Sequence, residues 1–207
     1  MADAATLRPL LLAPEDAAAL DVRGRIDAAV LVPLFVQDGE LHAVFTRRRE
    51  DLRKHAGEIS FPGGRQDIGE EDLRETALRE ADEEIGLPPA QVELVGALPP
   101  TPTVVTNYAI YPFVGIIPAG LAWRPNASEV AEILELPLGA VRDSYARRRL
   151  MRRGVPFRTG VYDIDGHVIW GATARILGDL LERRRRQNDE IEAAVVGIEL
   201  EQAFERQ

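Results

Sequence analysis

With 207 residues, 45% of them hydrophobic, the chain is long enough for one domain with a substantial core. Its formal net charge of −9 argues against general affinity for nucleic acid, and no apolar run approaches the ~20 residues that span a bilayer, so neither nucleic acid nor a membrane is an expected partner. The absence of cysteine excludes disulfides and thiolate metal sites, and with no basic-then-apolar leader pattern the expected location is cytoplasmic.

Residues 1–25 suggest a loose start and a short helix around 15–20. Residues 28–36 and 41–46 are apolar and β-branched around the turn signal Asp38-Gly39, which predicts a β-hairpin. A polar connection over 49–56 follows; its lone histidine, His55, reads as a surface or substrate contact rather than a metal ligand. A short strand then leads into Phe61-Pro62-Gly63-Gly64, where proline and glycine predict a loop that lets backbone N–H groups approach a ligand. A helix is expected over 72–85, because Asp72 and Glu75 have capping-box spacing and Gly86 is placed to end it.

Beyond the helix, 92–98 reads as a strand, and the prolines of 99–103 predict a loop. Strands are expected over 108–117 and 126–136, the second carrying Glu129, which on the residues alone reads as a strand-edge charge. A short helix is predicted over 138–146, and a hairpin over 157–162 and 167–170 around the turn Asp163-Ile164-Asp165-Gly166. A second long helix occupies 172–186, and 188–207 forms a terminal helix or a tail. Arg147-Arg148-Arg149 with Arg152-Arg153, and the run Arg183 to Arg186, read as solvated faces or basic helix ends. Arg47-Arg48-Arg49, with Arg53 and Lys54, stands beside the glycine segment, where contact with phosphate is favoured. No repeat, linker or second domain interrupts the chain, so residues 1–207 form a single domain with a core over about 26–187.

The helix over 72–85 holds a conflict. At ~100° per residue, Leu73, Ala77, Leu78, Ala81 and Ile85 form one apolar arc, and Glu80 and Glu84 project at the edge of that arc with Glu83 beside them. Carboxylates at this spacing repel one another, and burying them unpaired is costly. A bound Mg2+ or Mn2+, which favours carboxylate oxygens, would resolve the conflict.

Arg79-Glu80-Ala81-Asp82-Glu83-Glu84-Ile85-Gly86-Leu87 resembles the second half of the Nudix box. Glu71 keeps the box spacing to Arg79, but six residues separate Gly64 from Glu71 where five are usual, a longer loop that the coenzyme A branch of the family tolerates. Thr46-x-Arg48, Arg53, Gly57 and Phe61-Pro62-Gly63-Gly64 resemble the coenzyme A pyrophosphatase signature, as does the stretch 168–177. The chain departs from it at Arg49, where serine or alanine is usual, and at Val44-Phe45, where a leucine pair is usual.

The resemblance implies an α/β fold, the Nudix-type α/β/α sandwich with a central mixed β-sheet. It implies metal-dependent hydrolysis of the diphosphate bond of coenzyme A or a related nucleotide diphosphate. Glu80 and Glu84 are then the principal metal ligands, and Glu83 is a third ligand or a base acting on water. Arg79 is structural, pairing with Glu75 or Glu71. Gly63 and Gly64 shape the loop, while Arg48, Arg53 and Gly57 serve the substrate. In the resembling branch the stretch around Glu129 lies near the site, so Glu129 reads equally as an aid to a metal or water or as a strand-edge charge. Other Nudix substrates (ADP-ribose, a dinucleotide, a nucleoside triphosphate) and a silent nucleotide-sensing module stay as alternatives, and a homodimer is left open.

Overall fold

The computed structural model describes residues 4–20, 22, 24, 26–52, 55–67, 72–103, 107–152 and 154–204, and the side chains of 152 and of 190–204 lie outside that description. The chain opens with α1 (Ala4–Leu7) and α2 (Pro14–Ala18), joined through a 3-10 turn at Arg8–Leu10. The start is more anchored than the sequence suggests. Leu7 is fully buried in the core, Leu12 exchanges backbone hydrogen bonds with Ala97, and Arg183 donates to the Leu10 carbonyl.

The hairpin is β1 (Ile26–Gln37) and β2 (Glu40–Arg48), paired through Leu34↔Ala43 to Gln37↔Glu40. After β3 (Ile59–Ser60) comes a difference from expectation: Gly63–Arg65 form a strand, β4, with Gly63 opposite Val30 and Gly64 opposite Ala29. Glycines are poor strand formers, but here they let a helix lie directly on the backbone. That helix is α3 (Leu73–Ile85), and its boundaries follow from local chemistry. The Asp72 carboxylate accepts from the backbone N–H groups of Arg74 and Glu75, and Glu75 accepts in return from the Asp72 N–H. Gly86, at φ 68°, closes the other end in the left-handed conformation.

Then follow β5 (Glu93–Ala97), β6 (Thr101–Pro102), β7 (Tyr108–Ile116), β8 (Val130–Pro137) and α4 (Leu138–Asp143). The 99–103 stretch is thus not all loop: two of its residues pair with β7 at Thr101↔Ile110 and Pro102↔Ala109. The main sheet runs β3-β2-β1-β7-β5, with β4 on β1, β6 on β7 and β8 on β2. β1 and β7 are parallel and the other pairs antiparallel, so the sheet is mixed.

Side chains alternate across β1. Ala29, Leu31 and Phe35 join Ala77, Ala81 and Ile85 of α3, whereas Val32 and Leu34 join Leu138 and Val141 of α4 and Ile176, Leu177 and Leu180 of the last helix. A strand buried on both faces reads as a continuous apolar run, as 28–36 does. The layers are helix, mixed sheet and helix, the expected α/β/α sandwich.

A second sheet, β11-β10-β9, is built from β9 (Tyr145–Arg152), β10 (Val155–Ile164) and β11 (His167–Ile169). The predicted helix over 138–146 therefore stops at Asp143, and Arg147-Arg148-Arg149 lie on a strand rather than at a helix end. Their partners across the ladder are Gly160, Thr159 and Arg158, and Arg148 forms an ion pair with Asp163. The final helix, α5 (Gly171–Phe204), is continuous for 34 residues, so 188–204 extends it rather than forming a loose tail.

Candidate active site

Three segments meet at Glu84. From α3 its side chain reaches the backbone of β4, where the Gly63 N–H donates to Oε2 at 3.4 Å. From the end of β2, Arg48 Nη1 stands 3.8 Å from Oε1 of Glu84 and 3.6 Å from Oε2 of Glu129. The Glu84 side chain is only 9% exposed. Burial raises its pKa from the ordinary 4.5 to about 8, against the opposing pull of Arg48, while Glu80 and Glu129 push it further up. A buried carboxylate whose two partners stand at 3.4 and 3.8 Å is short of positive charge.

Glu80 lies one turn earlier on the same face. Burial raises its pKa as well, opposed by Arg79, whose Nη1 is 2.8 Å from Oε1. Its carboxylate rests on Gly64 so closely that a Cβ built there would overlap it, and a Cβ at Gly63 would overlap the Ala29 carbonyl. The helical period and the strand rise together set Glu80 over Gly64 and Glu84 over Gly63. Glu83 turns to solvent, 58% exposed, and pairs with Arg79 at 3.2 Å.

Among the described residues no three carboxylate or imidazole groups converge closely enough to form a ready cation cage. The donor set nevertheless fits a hard divalent cation. It consists of carboxylate oxygens, among them those of Glu80 and Glu84, whose pKa values burial raises and an added positive charge would lower.

Residues 25–152 match the NUDIX domain family. The chain is a Nudix hydrolase. Proteins from Salmonella newport and Salmonella agona, each called "Uncharacterized Nudix hydrolase NudL", are 41% identical to it over 155 residues, covering 74% of this chain and 80% of theirs. Similar solved structures include the MutT protein of Methanosarcina mazei Go1, with 18% identity, TM-score 0.49 and coverage of 82% of this chain and 99% of that one. The Nudix hydrolase RenU of M. smegmatis aligns at 22% identity and TM-score 0.48, over 59% of this chain and 76% of that one. The family cleaves pyrophosphate bonds in small nucleotide-type molecules and generally needs a divalent cation such as Mg2+ or Mn2+.

The turn before β3 carries further residues singled out in the sequence. Gly57, at φ 67°, lies in a turn over 55–58 and faces the Glu50 carboxylate so closely that a Cβ there would overlap it. That turn meets the end of β2, since the Arg48 N–H donates to the Glu58 carbonyl at 3.0 Å. His55 is 2.6 Å from Glu58, which accounts for it as a turn residue. Arg53, Lys54, Glu70 and Glu71 lie outside the described residues.

Of the two partners expected for Arg79, Glu75 is engaged in the capping box and Glu71 lies outside the described residues. Arg79 pairs with Glu80 and Glu83, donates to the Arg65 carbonyl at 3.4 Å and approaches Asp67 at 4.0 Å, and through that carbonyl it braces α3 against β4. The strand expected from 126 begins only at Val130, and 126–129 forms a turn instead. The backbone of 124–126 caps α3: Arg124 N–H donates to the Ile85 carbonyl at 3.0 Å and Asn126 N–H to the Glu84 carbonyl at 2.9 Å.

Proposed function

We propose that this Nudix hydrolase cleaves the diphosphate bond of coenzyme A or a close derivative, giving adenosine 3′,5′-bisphosphate and 4′-phosphopantetheine. One observation carries the reading. The two halves of the coenzyme A signature, Thr46-x-Arg48 and Phe61-Pro62-Gly63-Gly64, arrive on different strands yet converge on one carboxylate, Glu84, through the Arg48 guanidinium and the Gly63 N–H.

In this reading Glu80 and Glu84 hold Mg2+ or Mn2+, with Glu83 as third ligand or as base. When bound, the cation neutralises the diphosphate and acidifies a water. Gly63 and Gly64, lacking side chains, let the Glu80 carboxylate and the β1 backbone lie directly against β4, which keeps the carboxylates where the phosphates must be met. Arg48, already directed at this centre, has a fork suited to phosphate oxygens once Glu84 has another cationic partner. Water oxygen forms the new bond to phosphorus, the bridging P–O bond breaks, and the proton lost by water passes to a carboxylate, Glu83 or Glu129. Arg53, outside the described residues, is a further candidate for the substrate's phosphates.

The test is a panel of coenzyme A, dephospho-coenzyme A, ADP-ribose and a dinucleoside polyphosphate, assayed with Mn2+ and with products identified by mass. Coenzyme A should show the highest kcat/KM. A clear preference for ADP-ribose or for the dinucleotide would refute the coenzyme A reading and leave the Nudix hydrolase in place.

A further inference from the structure

Arg49 lies one residue beyond β2, at the position where this chain departs from the coenzyme A signature, and its side chain points away from the carboxylate centre. Nε and Nη2 grip the two oxygens of Asp51 at 2.8 and 2.7 Å, and the remaining arm, Nη1, donates to the Ala127 carbonyl at 2.5 Å. Its backbone N–H donates to the Glu129 carbonyl at 3.0 Å. One residue thus holds both ends of the turn that presents Glu129.

The turn is otherwise closed on itself. Asn126 accepts from the Ser128 N–H and hydroxyl through its side chain, and from the Glu129 and Val130 N–H groups through its carbonyl. Its upstream end hangs on α3 through the Asn126 N–H at the Glu84 carbonyl. Downstream, the Arg48↔Val130 pair and the Arg49 N–H tie the turn to the β2 backbone, and the Arg49 guanidinium adds a side-chain tie at the Ala127 carbonyl. The β2–β8 register shifts between Arg47 and Arg48, so the ladder is irregular beside Glu129.

We propose that Arg49 is a positioning residue: oriented by Asp51, it clamps the 126–129 turn so that Glu129 is held on Arg48 and, through Arg48, beside Glu84. The proposal rests on Glu80, Glu84 and Arg48 being the reacting centre. The Arg49–Asp51 pair is too exposed to matter much to folding. Its directional geometry matters to where Glu129 sits, and a misplacement of the order of 1 Å at a site is enough to slow chemistry substantially.

The experiment compares wild type with Arg49→Ala, Arg49→Lys, Asp51→Ala and, as a control, Arg185→Ala, which removes an exposed arginine fork from α5. Three readouts are taken: thermal melting, amide hydrogen exchange, and kcat and KM with coenzyme A and with ADP-ribose in Mn2+. Arg49→Ala should melt within about 2 °C of wild type, consistent with a weak surface pair. The amides of Ser128, Glu129 and Val130 should exchange faster in Arg49→Ala, and kcat should fall about ten-fold with little change in KM. Arg49→Lys, which reaches the Ala127 carbonyl without the fork, and Asp51→Ala should lie between, and Arg185→Ala should match wild type. Combined with Glu129→Gln, Arg49→Ala should produce no further loss. Unchanged exchange at those three amides overturns the clamp, and so does faster exchange with unchanged kcat. If Arg49→Ala does not fold, Arg49→Lys decides by the same two readouts. If wild type cleaves neither probe, the reading of the substrate fails, and the exchange arm still decides whether Arg49 holds the turn.

Discussion

Glu84→Gln should stabilise the metal-free protein at alkaline pH and leave it unchanged in acid. In the unfolded chain the Glu84 carboxyl ionises near 4.5, and in the folded chain near 8. Below pH 4.5 both states carry the proton, and the group contributes no pH dependence. Between the two values the folded state holds a proton that the unfolded state has released, so stability falls as pH rises, and the penalty levels off above about 8. At ~1.4 kcal/mol for each pH unit, that interval amounts to a penalty on the order of 5 kcal/mol, an upper limit because the buried group relaxes toward solvent when it ionises. For a chain of this size each kcal/mol moves the melting temperature by roughly 2–4 °C, so the gap between mutant and wild type should exceed ~5 °C at pH 9 and shrink to about 2 °C at pH 5. The assay is thermal melting of both proteins in chelator across that range. In excess Mn2+ the order should reverse, because a cation that binds the native state adds RT ln(1 + [L]/Kd) to wild type and much less to the mutant. A gap that does not change with pH, or a wild type that melts higher at pH 9 in chelator, would show that Arg48 fully compensates the Glu84 charge and would refute the reasoning.

Glu80→Gln should lower kcat by orders of magnitude at saturating Mn2+, whereas Glu75→Gln should be nearly silent, because glutamine keeps the capping-box bond to the Asp72 N–H; steady-state kinetics of the pair separates site from cap. Gly64→Ala should abolish turnover and reduce the Mn2+-induced rise in melting temperature, since the added methyl overlaps the Glu80 carboxylate and must displace it. Asp72→Ala removes two N-terminal hydrogen bonds of α3 and should cost about 1 kcal/mol, read as a fall in melting temperature with kcat largely retained.

How much of this was legible in the sequence depends on how local the cause was. The α3 boundaries were readable because both ends are fixed by chemistry within four residues, Asp72 with Glu75 at one end and Gly86 at the other. The β1–β2 hairpin was readable for the same reason, through alternation and the Asp38-Gly39 turn. β9 was not, because Arg147-Arg148-Arg149 carries neither apolar alternation nor turn residues. It becomes a strand through its ladder with β10, a tertiary cause. β4 was hidden in a glycine pair that propensity assigns to a loop, and the close approach of Glu80 to Gly64 and of the β1 backbone to Gly63 explains why a strand there must lack side chains. Glu80 and Glu84 stood out because carboxylates flanking an apolar stripe contradict the helix pattern. The Arg49 clamp left one trace, a departure from a signature, and that trace could not say what the arginine would hold.

The placement of Glu84 shows why such a centre needs three segments rather than one. A carboxylate on α3 alone could rotate to water and keep an ordinary pKa. Packing Ala77, Ala81 and Ile85 against β1 draws that face of α3 onto the sheet and denies Glu84 this escape. The Gly63 N–H and Arg48 then supply incomplete compensation at 3.4 and 3.8 Å, enough to hold the side chain in one place and too little to restore its normal acidity. Closer contact with Arg48 would make a satisfied buried ion pair with little capacity left for another cation. No contact at all would leave an isolated buried carboxyl, neutral and a poor ligand. The intermediate distance keeps the carboxylate both fixed and short of positive charge, the condition under which binding a cation yields the largest gain, and it follows from Arg48 dividing its charge between Glu84 and Glu129.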